Sequence, residues 1–317
     1  MRYCKLALTI SVLVMSFVAG HAQTPDSAKK YFQEGLKNFA QGNLELAFED
    51  YSRAIELSSR LGSSKPAATD LLNTANRFDS AGPSDRITVI DPFTAIAYTN
   101  RGGVRFTQHD FDGAIADFNA ALRISPRLAI AYLGRGVARR RKGDPDGARA
   151  DFDRAISIDN DLAEAFTDRG ALRLDTGDQV GALADLTRAL ALNPRIAETH
   201  YVLGYLRVLR NEFEAAIADF DRAIQLKPEV ASAYHGRGTA WMARGDLARA
   251  IADFDRAIEL DQRRPLTYMN RGLAFLLKGR DLEAQKDFEM CLVLDPDLKS
   301  ELDRRIALAK ELATPKP

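Results

Sequence analysis

The sequence predicts an all-α repeat protein in which pairs of helices stack into an α-solenoid. Three observations predict this class. A motif returns every 34 residues from Ala95 onward, small residues occupy the same places in each copy, and most copies end at a proline. A fixed period of this length is typical of stacked helical repeats, because each helix pair buries its apolar face only against its neighbours.

The first part of each repeat has a glycine at its eighth position, as in the segment from Ala95 to Gly102. Six repeats share this register, over residues 95–128, 129–162, 163–196, 197–230, 231–264 and 265–298. The glycines at position 8 are Gly102, Gly136, Gly170, Gly204, Gly238 and Gly272. A residue without a side chain lets two backbones approach closely, so the second helix of each repeat is expected to pack here.

The second part of each repeat carries small residues at positions 20 and 27 and a bulky residue at position 24. Position 24 holds Phe118, Phe152, Leu186, Phe220, Phe254 and Phe288. Acidic residues near the start of this part suit the dipole of a helix N-terminus. A proline at position 32 ends the repeat, because a helix cannot continue through it. These prolines are Pro126, Pro194, Pro228 and Pro296.

Together these positions resemble the tetratricopeptide repeat family over most of the sequence. The resemblance implies a right-handed superhelix of antiparallel helix pairs, whose first helices line a concave groove. It also implies that the protein binds a protein or peptide partner in that groove.

One further repeat is predicted at residues 28–61, within an N-terminal region that spans 23–61. Residues 62–94 lack the small residues of the motif, and they are expected to form an irregular spacer that isolates this repeat from the others. The spacer would contain one helix around Ala67 to Phe78. A degenerate eighth repeat is the alternative. Residues 299–313 are predicted to form a helix that caps the last repeat, as solenoids require at their ends.

Residues 1–22 have the features of a cleaved signal peptide. Arg2 and Lys5 precede an apolar stretch from Leu6 to Ala19, and small residues follow it. The mature chain would begin near Gln23, which predicts an exported and most simply a bacterial periplasmic protein, with no membrane segment left after cleavage. An uncleaved membrane anchor is the alternative, although the stretch is shorter than the roughly 20 residues that span a bilayer.

Composition argues against several functions. Lys+Arg and Asp+Glu both number 44, so no net positive charge favours a nucleic-acid partner. The predicted mature chain keeps one cysteine, Cys291, and its histidines are scattered, so neither a disulfide nor a metal site is expected. No catalytic motif or cofactor-binding loop is found, and the glycines are explained by the repeat. We therefore expect no enzyme activity, catalytic residue, cofactor or metal, while the oligomeric state stays open.

Two rows of charge follow the repeat. Arginine recurs at positions 7 and 11, one helical turn apart, and aspartate recurs at position 23. The aspartates are Asp117, Asp151, Asp185, Asp219, Asp253 and Asp287. This pattern favours ion pairs within or between repeats. An anion-binding stripe is the alternative.

The resemblance implies that positions 2, 5, 6, 9, 12 and 13 of the first helices face the groove. In the last three repeats this set is mainly apolar and comprises Tyr201, Tyr205, Val208, Leu209, His235, Met242, Leu266, Met269, Leu273, Leu276 and Leu277. A polar set in the central repeats includes Arg140, Arg141, Asp168 and Asp175. Large exposed apolar surfaces commonly mark binding sites. The alternative is that the superhelix closes on itself or the C-terminal helix covers these residues.

The sequence therefore predicts a non-catalytic scaffold or adaptor of the bacterial cell envelope, which binds its partner through the apolar part of the groove. Two alternatives stay open. One is a periplasmic chaperone of the holdase type, and the other is an accessory subunit of an envelope enzyme complex.

Overall fold

A computed structural model describes residues 25–59 and 92–313 of the protein. Within these ranges the regular structure consists of fifteen α-helices and one short 3-10 helix, without a strand. The chain divides into two compact units, which meet in sequence between Asp168 and Arg169. The predicted signal peptide, the last two residues of the first predicted repeat, and residues 62–91 of the predicted spacer with its helix or degenerate repeat lie outside the described residues.

The first compact unit contains the N-terminal helices. These are α1 (Asp26–Ala40), α2 (Leu44–Ser59), α3 (Pro92–Thr107), α4 (Phe111–Ile124), α5 (Ala129–Lys142), α6 (Pro145–Ile158) and the beginning of α7 (Ala163–Asp175). Consecutive helices pack against one another from α1 to α6, and α3 also contacts α5. This order places two helices in each predicted repeat.

The second compact unit continues the same arrangement. After the end of α7 it contains α8 (Gln179–Leu192), α9 (Ala197–Leu209), α10 (Phe213–Leu226), α11 (Ala231–Ala243), α12 (Leu247–Leu260), α13 (Pro265–Leu277), α14 (Asp281–Leu294) and α15 (Lys299–Ala313). Helices α8 to α14 pack in sequence, and α15 packs against α13. The consecutive helix pairs confirm the predicted all-α solenoid.

The turn inside each repeat needs a residue in the left-handed region at position 15. Gly143 adopts a φ of 80° there, and His109 and Asn211 adopt φ values of 64° and 58° at the equivalent places. Left-handed backbone favours glycine and tolerates asparagine better than most residues. In four repeats the next residue is an aspartate that caps the second helix, as when Asp144 accepts a hydrogen bond from the Gly147 amide at 2.9 Å, whereas Glu212 and Arg280 make no such bond. The acidic residues predicted at these helix starts thus have a capping role.

Glycines allow the close helix contacts that the repeat pattern predicts. A Cβ atom on Gly136 would lie 2.6 Å from the ring of Phe152, its partner at position 24 of the same repeat. A Cβ atom on Gly134 would lie equally close, at 2.6 Å, to the ring of Phe118 in the preceding repeat. Both rings are fully buried. The aromatic residue at position 24 therefore fills the space between the first helices of neighbouring repeats.

The N-terminal helix pair is not isolated, which corrects the sequence-based expectation. Helix α2 packs directly against α3. The ring centroids of Phe32 and Phe93 lie 5.1 Å apart, and the Thr94 hydroxyl donates a buried hydrogen bond of 2.9 Å to Ser58. Helix α3 begins at Pro92, three residues before the predicted start of the second repeat. Phe93 and Thr94, which the sequence placed in the spacer, instead form the contact between the two repeats.

Candidate partner-binding surface

The arginine at position 7 binds the aspartate at position 23 of its own repeat. Arg135 donates from Nε to Asp151 Oδ2 at 2.9 Å and from Nη2 to Oδ1 at 2.6 Å. The same two-bond arrangement joins the pairs Arg101–Asp117, Arg169–Asp185, Arg237–Asp253 and Arg271–Asp287. Parallel hydrogen bonds of this kind fix the relative position of the two helices.

A third contact of the same arginine reaches the preceding repeat. Arg135 Nη1 donates to Asn119 Oδ1 at 2.6 Å, and Arg237 Nη1 donates to Asp221 at 2.5 Å. The hydrogen bonds to Asp253 and Asp221 raise the pKa of Arg237 above its usual range, although its burial acts in the opposite direction.

The arginine at position 11 completes the network, as Arg139 donates to Asp151 at 2.8 Å. The two rows of charge thus form ion pairs within and between repeats, as the sequence favoured.

Helix α9 departs from this pattern. Position 7 holds the buried Leu203 instead of an arginine. The residue of the preceding repeat that corresponds to Asn119 and Asp221 is Thr187. Asp219 accepts a hydrogen bond of 2.6 Å from Arg207, and its other oxygen lies 3.8 Å from His200 Nδ1. The fifth repeat therefore lacks the arginine that the neighbouring repeats have at position 7.

The same helix carries an exposed apolar surface. Tyr205 and Leu209 are 48% and 47% exposed and lie one helical turn apart. Tyr201 and Val208 are partly buried beside them, and all four share one side of the helix because they stand at i, i+4, i+7 and i+8. We call these four residues the α9 apolar face. All four are among the predicted groove residues.

The other predicted apolar residues are less accessible, with one exception. Leu266 on α13 is 42% exposed. His235 is partly buried, and its Nδ1 lies 3.0 Å from the Thr267 hydroxyl. Met242 and Leu276 are partly buried and pack in the cluster around Ile251 and Phe275. These residues extend the apolar surface but contribute more to packing between helices.

Met269 and Leu273 are not available at the surface, contrary to the groove that the sequence predicts. They are 0% and 6% exposed and share one apolar cluster with Leu302 and Ala309 of α15. Arg305 of α15 also donates a hydrogen bond of 3.3 Å to Asn270. At α13 the structure therefore has the arrangement left open as an alternative, in which the C-terminal helix covers part of the predicted groove.

The predicted polar set is divided between the compact units. Arg140, Arg141 and Asp168 belong to the first unit and Asp175 to the second. All four take part in interactions within the protein.

Metal binding and membrane insertion were also considered for the part of the chain that the structure describes. No group of three His, Cys, Asp or Glu side chains in residues 25–59 and 92–313 is arranged to hold a metal ion. Over the same residues no helix combines the length and apolar character needed to cross a membrane. Cys291 is buried, and this burial raises the pKa of its thiol.

The stacking of arginines on Trp241 and Phe275 was not predicted from the sequence. Trp241 and Phe275 stand at position 11 in the last two repeats, where the four repeats before them have arginine. An arginine stacks on each ring, with Arg249 Cζ 4.4 Å from the Trp241 ring centroid and Arg280 Cζ 4.4 Å from that of Phe275. The break in the arginine row was the signal available in the sequence.

The repeated helix pairs and their ion-pair network define an α-solenoid, a class of protein with extended surfaces for binding other polypeptides. The sequence matches the tetratricopeptide repeat family over residues 99–163, 167–231, 207–265 and 235–297, which together exceed half of the chain. The protein belongs to the tetratricopeptide repeat family. Its members are generally non-catalytic scaffolds that bind protein or peptide partners.

Solved structures share this fold. A tetratricopeptide repeat protein from Parabacteroides merdae ATCC 43184 is 18% identical, with a TM-score of 0.57 over 90% of this chain and 100% of that chain. The APC/C hetero-tetramer Cut9-Hcn1 gives 17% identity and a TM-score of 0.64, over 88% of this chain and 54% of that one. PilF of Pseudomonas aeruginosa is 16% identical, with a TM-score of 0.56 over 64% of this chain and 92% of that chain. Among curated proteins no match was found. At these identities the likeness shows the fold alone.

Proposed function

We propose that this protein is a non-catalytic scaffold of the bacterial cell envelope and that it binds a protein or peptide through the α9 apolar face. The observation that carries the proposal is the exposure of Tyr205 and Leu209 on one side of a helix that has Leu203 where the neighbouring repeats have arginine. Single exposed apolar residues are common on protein surfaces, but adjacent ones beside partly buried neighbours form a patch that a partner can cover.

The shape of the patch indicates the kind of ligand. Tyr205 and Leu209 are one turn apart and flanked by Tyr201 and Val208, so the patch is a strip along α9. A strip of this kind suits an extended or helical peptide that places apolar side chains at regular intervals. Tyrosine is also frequent among residues that dominate binding energy.

Photo-crosslinking in the native cell tests this proposal. A benzoylphenylalanine placed at Tyr205 is expected to crosslink to one partner polypeptide, because this side chain would lie in the interface. The control carries the same group at Val180, which is 83% exposed on α8 and lies outside the α9 apolar face. Equal crosslinking from both positions, or none from Tyr205, would contradict the proposal. Many different products from Tyr205 would instead favour the holdase alternative.

We also propose that the mature protein acts in the periplasm after removal of residues 1–22. The proposal rests on the basic residues, the apolar stretch and the small residues of this segment. N-terminal sequencing of the protein from its native envelope is expected to begin near Gln23. A native chain that still begins at Met1 would contradict export by cleavage.

A further inference from the structure

An ion pair joins the turns of neighbouring repeats at two places. A basic residue at position 14 reaches back to an acidic residue at position 18 of the preceding repeat. In the first compact unit Lys142 pairs with Asp112, and in the second Arg244 Nε lies 3.0 Å from Glu214 Oε1. At these junctions a cation at position 14 of one repeat is thus paired with a carboxylate at position 18 of the preceding repeat.

At the last such junction the cation is present and the carboxylate is missing. Lys278 occupies position 14 of the seventh repeat, but position 18 of the sixth repeat is Ala248. Among the described residues no ion pair of Lys278 is found. Arg210 in the fifth repeat likewise has an apolar residue, Val180, at position 18 of the preceding repeat, but Arg210 pairs with Glu212 at 2.9 Å. The last junction therefore has an unmatched positive charge.

A cavity of about 650 Å³ lies at this junction. Its lining includes Trp241, Arg244, Asp246, Ala248, Arg249 and Lys278. The cavity is largely open to solvent, and its volume lies within the range of small-ligand pockets. The small side chain of Ala248 leaves open the place that a glutamate fills at the preceding junction.

The charges around the cavity favour an anion. Asp246 pairs with Arg249, with Nε 3.2 Å from Oδ2, and it also caps α12 by accepting a hydrogen bond from the Arg249 amide. Glu214 is paired with Arg244. Asp246, which lines the cavity, and Glu214 are thus each paired with an arginine, whereas Lys278 has no ion pair among the described residues.

Trp241 provides an aromatic wall beside these charges. It packs against the buried cluster of Ala216, Ile217 and Phe220, and Arg249 stacks over its ring with Cζ 4.4 Å from the centroid. A tryptophan anchored in this way offers apolar area without losing much side-chain freedom on binding.

We propose that this cavity accepts an aspartate or glutamate side chain of a partner polypeptide, with a neighbouring apolar side chain of that partner against Trp241. The carboxylate takes the place that Asp112 and Glu214 hold at the equivalent junctions. The proposed site shares no residue with the α9 apolar face, although Tyr201, Val208 and Trp241 pack on the same buried cluster. The proposal does not depend on that face binding a partner.

Trp241 is the only tryptophan in the sequence, so its fluorescence reports directly on this cavity. The full protein is titrated at constant ionic strength with a blocked peptide of one leucine and two glutamates, and with the same peptide carrying glutamines. A saturable change in fluorescence is expected with the glutamate peptide and not with the glutamine peptide. An equal response to both peptides, or to acetate at the same carboxylate concentration, would overturn the proposal.

Matched variants identify the residues. Ala248→Glu supplies an internal carboxylate of the kind found at position 18 in other repeats, and it is expected to weaken peptide binding by about tenfold or more. Lys278→Gln is expected to weaken binding by about threefold, in keeping with the loss of one exposed charge pair. Arg210→Gln, at the same repeat position elsewhere, should leave binding unchanged. Far-UV circular dichroism confirms that each variant is folded, and unaltered peptide binding by folded Ala248→Glu would overturn the proposal.

Discussion

Replacing Asp151 by alanine is expected to lower the free energy of unfolding by about 3 kcal/mol, the lower end of the range for breaking a buried ion pair. Asp151 is buried and accepts three hydrogen bonds, two from Arg135 and one from Arg139. Without its carboxylate, two largely buried guanidinium groups would keep their charge and lose their strongest partner. The cost is therefore set mainly by the arginines left behind.

The matched control is Asp112→Ala. Asp112 also pairs with a basic residue, Lys142, but its side chain is 81% exposed. An exposed pair contributes at most about 1 kcal/mol, because water already solvates both charges. Denaturant unfolding followed by circular dichroism measures both variants. Equal losses of stability for Asp151→Ala and Asp112→Ala would show that the ion-pair network does not support the fold in the way described.

The period of the sequence was enough to predict the fold class, because each repeat uses the same small and bulky residues for the same contacts. Gly136 and Phe152 meet as the pattern requires. The charge rows could be interpreted in the same way, since Arg135 and Asp151 recur with every repeat. Local periodicity did not predict how α2 meets α3. That contact depends on Phe93, which lies before the repeat motif begins.

The candidate surface could be predicted only in part. Repeat positions indicate which side of a first helix a residue occupies, and this located Tyr205 correctly on an exposed side. They do not indicate what covers that side, so the burial of Met269 and Leu273 beneath α15 could not be read from them. The α15 contacts involve Leu302 and Ala309, which follow the last repeat and have no counterpart in the others.

Loss of partner binding is the second large expected effect. We expect the double variant Tyr205→Glu, Leu209→Glu to bind the partner about 30-fold more weakly or worse, because losing a central interface anchor costs about 2 kcal/mol or more. Both side chains are about half exposed, so charged replacements there should leave the helices folded. Leu273 would be a poor choice, since a glutamate at this buried position would disrupt the packing of α15.

The control for this measurement is Val180→Glu, which adds the same charge at an exposed apolar residue of α8. Calorimetric titration of the partner identified by crosslinking at Tyr205 compares the wild-type protein with both variants. Our account predicts unchanged affinity for Val180→Glu and at least about 30-fold weaker binding for the folded double variant. Wild-type affinity of the double variant would contradict the proposal that the α9 apolar face binds the partner.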